Sequence, residues 1–161
     1  MTSDKWRSPP KKPYEPRDSQ ITSSAMAKVK SEGNRTEVLL RKELFRRGLR
    51  YRLYDRRLPG KPDIVFPGNR LVVFVDGDFW HGRPLVEHGE EELRKFIRGR
   101  RADWWIAKIW RTANRDTRNT QALQDSGWKV LRLWESDVKR DIVSAADQVQ
   151  SLINSIANAE H

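Results

Sequence analysis

Residues 58–82 read LPGKPDIVFPGNRLVVFVDGDFWHG, and this stretch decides the fold. It holds two apolar runs, Ile64 to Phe66 and Leu71 to Val75, separated by Pro67-Gly68-Asn69. Apolar runs this short, parted by turn-forming residues, read as two successive strands. The second run is almost continuously apolar, as in a central strand covered on both faces. Asp63 opens the first strand and Asp76 closes the second, with twelve residues between them. A hairpin of that length returns both carboxylates to one end of the sheet.

Upstream, Asn34 followed three residues later by Glu37 matches a capping box. Val38, Leu40, Leu44 and Phe45 give the helix its apolar side, and Gly48 closes it. Leu49, Tyr51 and Leu53 alternate with Arg50 and Arg52, the pattern of a half-exposed strand. Downstream of His81 the pattern dissolves into a polar, glycine-containing stretch ending in RKFIRGRR. A long helix is expected from about Ala102 to Asp125, with Trp105, Ile109, Ala113, Thr120 and Leu123 in register on one face and Gly127 as its stop. WKVLRLW, Trp128 to Trp134, is a further strand. Val138, Ile142, Ala145, Val149, Leu152 and Ile156 mark one last amphipathic helix.

The order helix, three strands, helix, strand, helix implies an α/β fold in which a mixed central sheet is flanked by helices. It resembles the common core of restriction-endonuclease-like nucleases. Residues 1–20, MTSDKWRSPPKKPYEPRDSQ, are expected to be a flexible, basic, Pro-rich tail, and residues 21–161 a single domain.

Lys and Arg number 32 against 22 Asp and Glu, giving a net charge of +10 and a pI near 10.2. That balance suits a polyanion such as nucleic acid, whose condensed counterions are released by basic side chains. A merely soluble basic surface would carry the same count. Without cysteine, disulfides and thiolate metal sites are excluded. No apolar run approaches the roughly 20 residues that cross a bilayer. The first residues lack the order of a signal peptide. The expected location is the cytoplasm, with the nucleoid. Seven Trp residues suit stacking on bases.

Paired carboxylates at a strand end suit a hard divalent cation such as Mg²⁺, which takes one or two of them along with phosphate and water. Either Asp alone reads as a turn or strand-end residue; the pair favours a site. His81 lies five residues past Asp76, and a neutral imidazole is the usual base near pH 7. Asp78 in the same turn is a ligand, a cap or a solvated acid. Asp116 follows Ile109 by seven residues and has no basic residue at helical spacing. Its partner is therefore distant, with His81 and Arg115 as candidates; a structural ion pair is the competing reading. Lys108, Arg111, Arg115 and Arg118 form a stripe on the other side of that helix, either solvated or facing DNA. Glu37 points inward, as a cap or beside the metal.

LPGKPDIVF, LVVFVDGDFWHG, WWIAKI with Arg115-Asp116, and GWKVLRLWE together resemble the very-short-patch-repair endonuclease family, from about Ser23 to about Asp137. The resemblance implies an Mg²⁺-dependent endonuclease of DNA repair, nicking one strand of double-stranded DNA beside a T·G mismatch on the restriction-endonuclease-like fold. It implies that Asp63 and the backbone carbonyl of Val75 hold the metal and that His81 is the general base. Asp76 stands where the family often has an acid or a His, Asp116 matches an acidic partner on the long helix, and Glu37 matches a Glu on the first helix. Phe79, Trp80 and Trp105 match aromatics that wedge into the base stack, and Met26 and Val29 match apolar residues supporting the wedge from the other groove. A restriction or phage-defence nuclease with another DNA substrate, or a lesion-binding module without chemistry, are the alternatives.

The family's structural zinc is held by Cys and His around the F-W-H turn and by a Cys after W-E. Here Asp78 stands at the first of those positions, Arg83 lies in the following segment, and Ser136 follows Trp134-Glu135. His88 with Asp78 is too little for a tetrahedral site, so no structural zinc is expected. The Phe96-Ile97 pair and ionic contacts among Glu87, Glu90, Arg94 and Arg98 are expected to hold the segment instead. Thr112 also replaces an Asn usual in the family.

Overall fold

The computed structural model describes residues 35–160. The expected tail, the Asn34 cap, Met26, Val29 and His161 lie outside the described residues. Helix α1 spans residues 35–46. Strands β1 (Arg52–Leu53), β2 (Ile64–Phe66) and β3 (Leu71–Asp76) follow, then helices α2 (Arg83–His88), α3 (Glu90–Phe96) and α4 (Ala102–Asp125). Strand β4 (Lys129–Trp134) and helices α5 (Glu135–Arg140) and α6 (Ile142–Ala159) complete the order. The sheet runs β1-β2-β3-β4, antiparallel except for the parallel β3–β4 pair. A parallel pair needs a crossover, here supplied by α2 to α4. The fold is the expected mixed sheet flanked by helices, consistent with a restriction-endonuclease-like core.

Successive side chains on a strand point to opposite faces, and β2 to β4 use both. Ile64, Phe66, Leu71, Val73 and Leu133 pack with Leu40 and Leu44 of α1, Val138 of α5 and Ala145, Ala146 and Val149 of α6. Val65, Val72 and Phe74 pack on the other face with Leu123 of α4 and the half-buried Leu58, Trp128 and Val130. This two-sided burial explains the continuous apolar run of β3.

Three expectations need correction. The stretch after His81 is not irregular: α2 and α3, parted by Gly89 at φ 97°, bury Leu85, Leu93 and Ile97 against Ile106, Ile109, Trp110 and Ala113 of α4. Each helix buries too few apolar residues to leave a clear period in the sequence. The last helix is two, because the Asp141 carboxylate accepts the Ser144 N–H at 2.9 Å and caps a new helix start. Phe45 does not join Leu40 and Leu44; it is 56% exposed, with the Arg50 guanidinium 3.9 Å from its ring centre.

Gly82 is required by a close approach. Its φ is 65°, and an added Cβ would lie 2.4 Å from Cγ2 of Ile109. The turn that carries His81 is thereby pressed onto α4. The fully buried Leu44 and the exposed Phe45 give a direct test of α1 packing. Leu44→Ala should cost about 2–5 kcal/mol in urea unfolding, and Phe45→Ala about 1 kcal/mol or less. Equal losses would show that α1 presents a different face to the sheet.

Candidate active site

The β2–β3 hairpin sets the first half of the site. The Asp63 carboxylate, just ahead of β2, accepts the Val75 N–H on Oδ2 at 2.7 Å, which leaves Oδ1 for another partner. Lys61 and Tyr54 flank this position with φ of 52° and 51°. Each left-handed residue costs roughly 1–2 kcal/mol, so the loop around Asp63 is held in place by its surroundings. Glu37, 4% exposed, reaches the same region from α1, accepting the Tyr54 O–H at 2.7 Å with Arg41 Nε 3.7 Å away. Burial pushes Glu37 and Asp76 above the ordinary carboxylate range. Burial also pushes Asp63 up to about 7; its bond from Val75 opposes the rise, while the charges of Glu37 and Asp76 add to it.

The second half forms where β3 ends. His81 Nδ1 lies 2.5 Å from Asp116 Oδ2 and 3.7 Å from Asp76 Oδ1. Among the sequence candidates for a partner, Asp116 therefore meets His81 directly, with Arg115 Nη2 farther off at 3.8 Å. A neutral imidazole in this arrangement donates from Nδ1 and keeps the Nε2 lone pair. Burial holds the His81 pKa down, but the Asp116 bond and the charges of Asp76 and Asp116 outweigh it, and the net shift is upward. Asp76 is 5% exposed and is bound by Arg132, whose Nη1 donates to both its oxygens at 3.1 and 2.9 Å. The sequence reading missed Arg132 and Tyr54. The available signal for Arg132 was a lone cation between Leu131 and Leu133 in an otherwise apolar strand interior.

Two clefts flank His81. One, of 420 Å³, is lined by Asp76, Asp116, Thr120, Arg132 and Trp134 among others. The other, of 570 Å³, is bordered by Arg56, Lys61, Arg115, Asn119 and Arg132. Beyond the turn, Phe79, Trp80 and Trp105 pack with ring centres 5.2–5.6 Å apart, and Trp104 adjoins Trp105 at 4.7 Å. Phe79 is 47% exposed, while Trp80 and Trp105 are half-buried. Lys108 leaves the expected stripe: its ammonium lies 5.1 Å from the Trp80 and Trp104 ring centres and 5.6 Å from that of Trp105. Arg111 and Arg115 stay exposed.

A sequence profile described as DNA mismatch endonuclease Vsr matches residues 17–86. The type II nicking enzyme V.NmeDIP of Neisseria meningitidis serogroup C is 39% identical over 128 residues, covering 80% of this chain and 82% of its own length. The type II nicking enzyme V.XorIIP of Xanthomonas oryzae pv. oryzae is 42% identical over 115 residues, 70% of this chain and 78% of its own. The DNA mismatch endonuclease Vsr of Escherichia coli is 35% identical over 118 residues, 73% and 71% of the two chains. The chain belongs to the Vsr family. It is thereby a DNA endonuclease.

In this Vsr-family chain Asp78 and Ser136, the positions the sequence resemblance sets against zinc ligands, belong to an ionic clasp with Arg83. Asp78 accepts the Ser136 N–H at 3.0 Å, the Ser136 O–H at 2.6 Å and Arg83 Nη1 at 3.2 Å. Arg83 also reaches Asp137 and Glu87, each at 3.0 Å, and lies 5.6 Å from the Trp134 ring centre. The clasp joins the start of α2 to α5. The expected alternative is corrected in part: Ile97 is buried and Arg94 pairs with Glu90 at 2.6 Å, but Phe96 is 73% exposed and Arg98 caps the Lys95 carbonyl.

Burial works against Asp78 ionisation, yet the Ser136 and Arg83 bonds win and its pKa falls below the ordinary 3.8. A lowered carboxylate pKa stabilises the fold fully above the unfolded value and loses that effect as pH falls through the folded one. The stability gap between wild type and Asp78→Asn should therefore be constant from pH 7 to about 5 and shrink toward pH 3, read by urea unfolding. A gap that widens on acidification would contradict the clasp.

Proposed function

We propose that this protein is an Mg²⁺-dependent nicking endonuclease of double-stranded DNA that acts at a mismatch or other distorted site in DNA repair. The observation that carries the reading is the meeting of Asp63, Glu37, Asp76, His81 and Asp116 at one end of the sheet, beside an aromatic cluster on a chain of net charge +10. The similar nicking enzymes support cleavage of one strand, and the similar mismatch endonuclease supports action at a mismatch. We place the protein in the cytoplasm, on nucleoid DNA.

The donor chemistry at Asp63 fits the metal. Burial raises Asp63, the charges of Glu37 and Asp76 add to the rise, and a hard cation would relieve both costs. Among the described residues no three acidic or histidine side chains converge as a ready metal cage. Mg²⁺ does not require one, since it keeps waters and takes phosphate oxygens. Asp63 Oδ1 and the Val75 carbonyl would hold it, and when bound it would supply charge neutralisation at the scissile phosphate.

His81 would take the proton of the attacking water on Nε2, and Asp116 would hold the ring by Nδ1 and stabilise the imidazolium that results. Asp76 adds a second negative charge to the same ring. Arg56, Lys61 and Arg115 border the adjoining cleft, where the strand's phosphates would run. Trp80, Trp105 and Phe79 would enter or stack on a distorted base step, with Lys108 and Arg111 nearby for the backbone.

Asp63→Ala should abolish cleavage while DNA Kd changes by no more than about threefold, because phosphate contacts spread over many basic residues. EDTA should also abolish cleavage and leave the melting temperature unchanged, since we propose no structural zinc. A chelator-induced fall in melting temperature, with stoichiometric zinc in the purified protein, would refute that part. Substrate choice is tested separately, on matched, T·G and branched duplexes. Trp80→Ala should weaken binding to the distorted duplex by roughly tenfold or more and binding to matched DNA little. Equal loss on both would make Trp80 a packing residue.

A further inference from the structure

We propose that Arg132 is a positioning residue for the cleavage step, setting the slot in which the His81 imidazole works. The inference rests on the reading of His81 as the base. Arg132 sits in the middle of β4, opposite Phe74 in the parallel pair. Strand alternation sends Leu131 and Leu133 into the α1–α6 core. Arg132 is therefore turned toward α4, and it is satisfied there from every side. Nη1 donates to both Asp76 oxygens at 3.1 and 2.9 Å, Nε donates to Thr120 Oγ1 at 2.8 Å, and Nη2 donates to the Asp116 carbonyl at 3.3 Å. The flat face of the guanidinium lies 4.0 Å from the Phe74 ring centre.

Those contacts tie together the two elements that hold His81 from either side. Among the described residues, Asp76 at the end of β3 and Asp116 on α4 are the two carboxylates within 4 Å of Nδ1. Arg132 grips the first by its side chain and the second by its main chain, so the separation of β3 from α4 at this level is one guanidinium wide. A planar fork with five fixed donors can impose such a spacing; a lysine, with one mobile point charge, cannot. Arg132 also lines both clefts beside His81. The pair as a whole offers stability little, since replacing both partners of a buried ion pair by apolar residues is often neutral, whereas removing Arg132 alone leaves the Asp76 carboxylate buried without its cation.

The test is a double-mutant cycle on the full chain, read as single-turnover cleavage at saturating Mg²⁺ with a T·G duplex. Arg132→Met keeps the contact with Phe74 and removes all the hydrogen bonds. It should slow cleavage by roughly 10²-fold, with DNA Kd within about threefold. Arg132→Lys should recover less than about a tenth of the lost rate. In a His81→Ala background the same Arg132→Met change should cost less than about twofold, because a residue acting through the imidazole has nothing left to position. A loss of equal size in both backgrounds would make Arg132 a structural staple and overturn the inference while leaving His81 as base. A wild-type rate for Arg132→Met would also overturn it. A wild-type rate for His81→Ala would instead remove the base reading, and this inference with it. Should Arg132→Met fail to fold, the cycle is run with Arg132→Lys, where a loss of about tenfold is expected only when His81 is present.

Discussion

The alternation of side chains across β3 is the constraint on which the rest depends. Leu71 and Val73 enter the core shared with α1 and α6, while Val72 and Phe74 enter the layer under α4. Continuing that alternation by one step puts Asp76 on the α4 side at the strand's last position. A carboxylate there can be buried only if the opposing layer offers a cation or a donor. Arg132 provides it from the neighbouring strand in parallel register, and His81 provides a second partner from the turn. A slip of one residue in the β3–β4 register would exchange the two faces and drive Arg132 into the apolar core. Register in the sheet and chemistry at its end are thus one requirement.

The crossover through α4 is the second element of the design. β3 and β4 run parallel, so the chain must return the length of the sheet before β4 begins. The 24-residue α4 makes that return and on its way holds Asp116 against His81, just past the end of β3. Gly82 lets the outgoing turn sit against Ile109, one helical segment before Asp116, so the imidazole reaches the carboxylate at 2.5 Å. Binding at the ends of strands is the common arrangement of α/β folds, because loops there converge while the strands stay fixed.

Much of this was legible in the chain itself. The LPGKPDIVF and LVVFVDGDFWHG runs carry their own turn residues and apolar spacing, and α4 and β4 fall at the expected positions. Residues whose partners are near in sequence or at the ends of recognised strands, Asp63, Asp76 and His81, come together as expected. What escaped depends on distance. Arg132 is joined to Asp76 across 56 positions and Ser136 to Asp78 across 58, and no local pattern encodes such pairs. Asp141 was hidden differently: the apolar period runs straight through it, and only its side-chain bond to Ser144 divides the helix. α2 and α3 were hidden by shortness, since each has one turn or two and buries a single core residue.

The electrostatics of the site run opposite to those of the molecule. The chain carries +10, yet at the sheet end it sets Asp76 and Asp116 against one imidazole, with Asp63 and Glu37 beside them. A positive surface attracts DNA over distances comparable to the Debye length, about 8–10 Å at physiological salt. Within that range the acids repel a phosphate. On the proposed reading, a DNA strand drawn to Arg56, Lys61 and Arg115 at the cleft rim would meet a barrier at the neighbouring acids unless a cation lay between. Burial, with the charges of Glu37 and Asp76 adding to it, raises Asp63 to about 7, and on the proposed reading a cation beside it would relieve that cost. Metal and phosphate would on that reading favour each other, each neutralising the charge that opposes the other's approach. On the proposed reading, that mutual dependence makes the hydrolytic site assemble on DNA and stay weak without it, a useful property in an enzyme whose substrate is surrounded by a great excess of intact duplex.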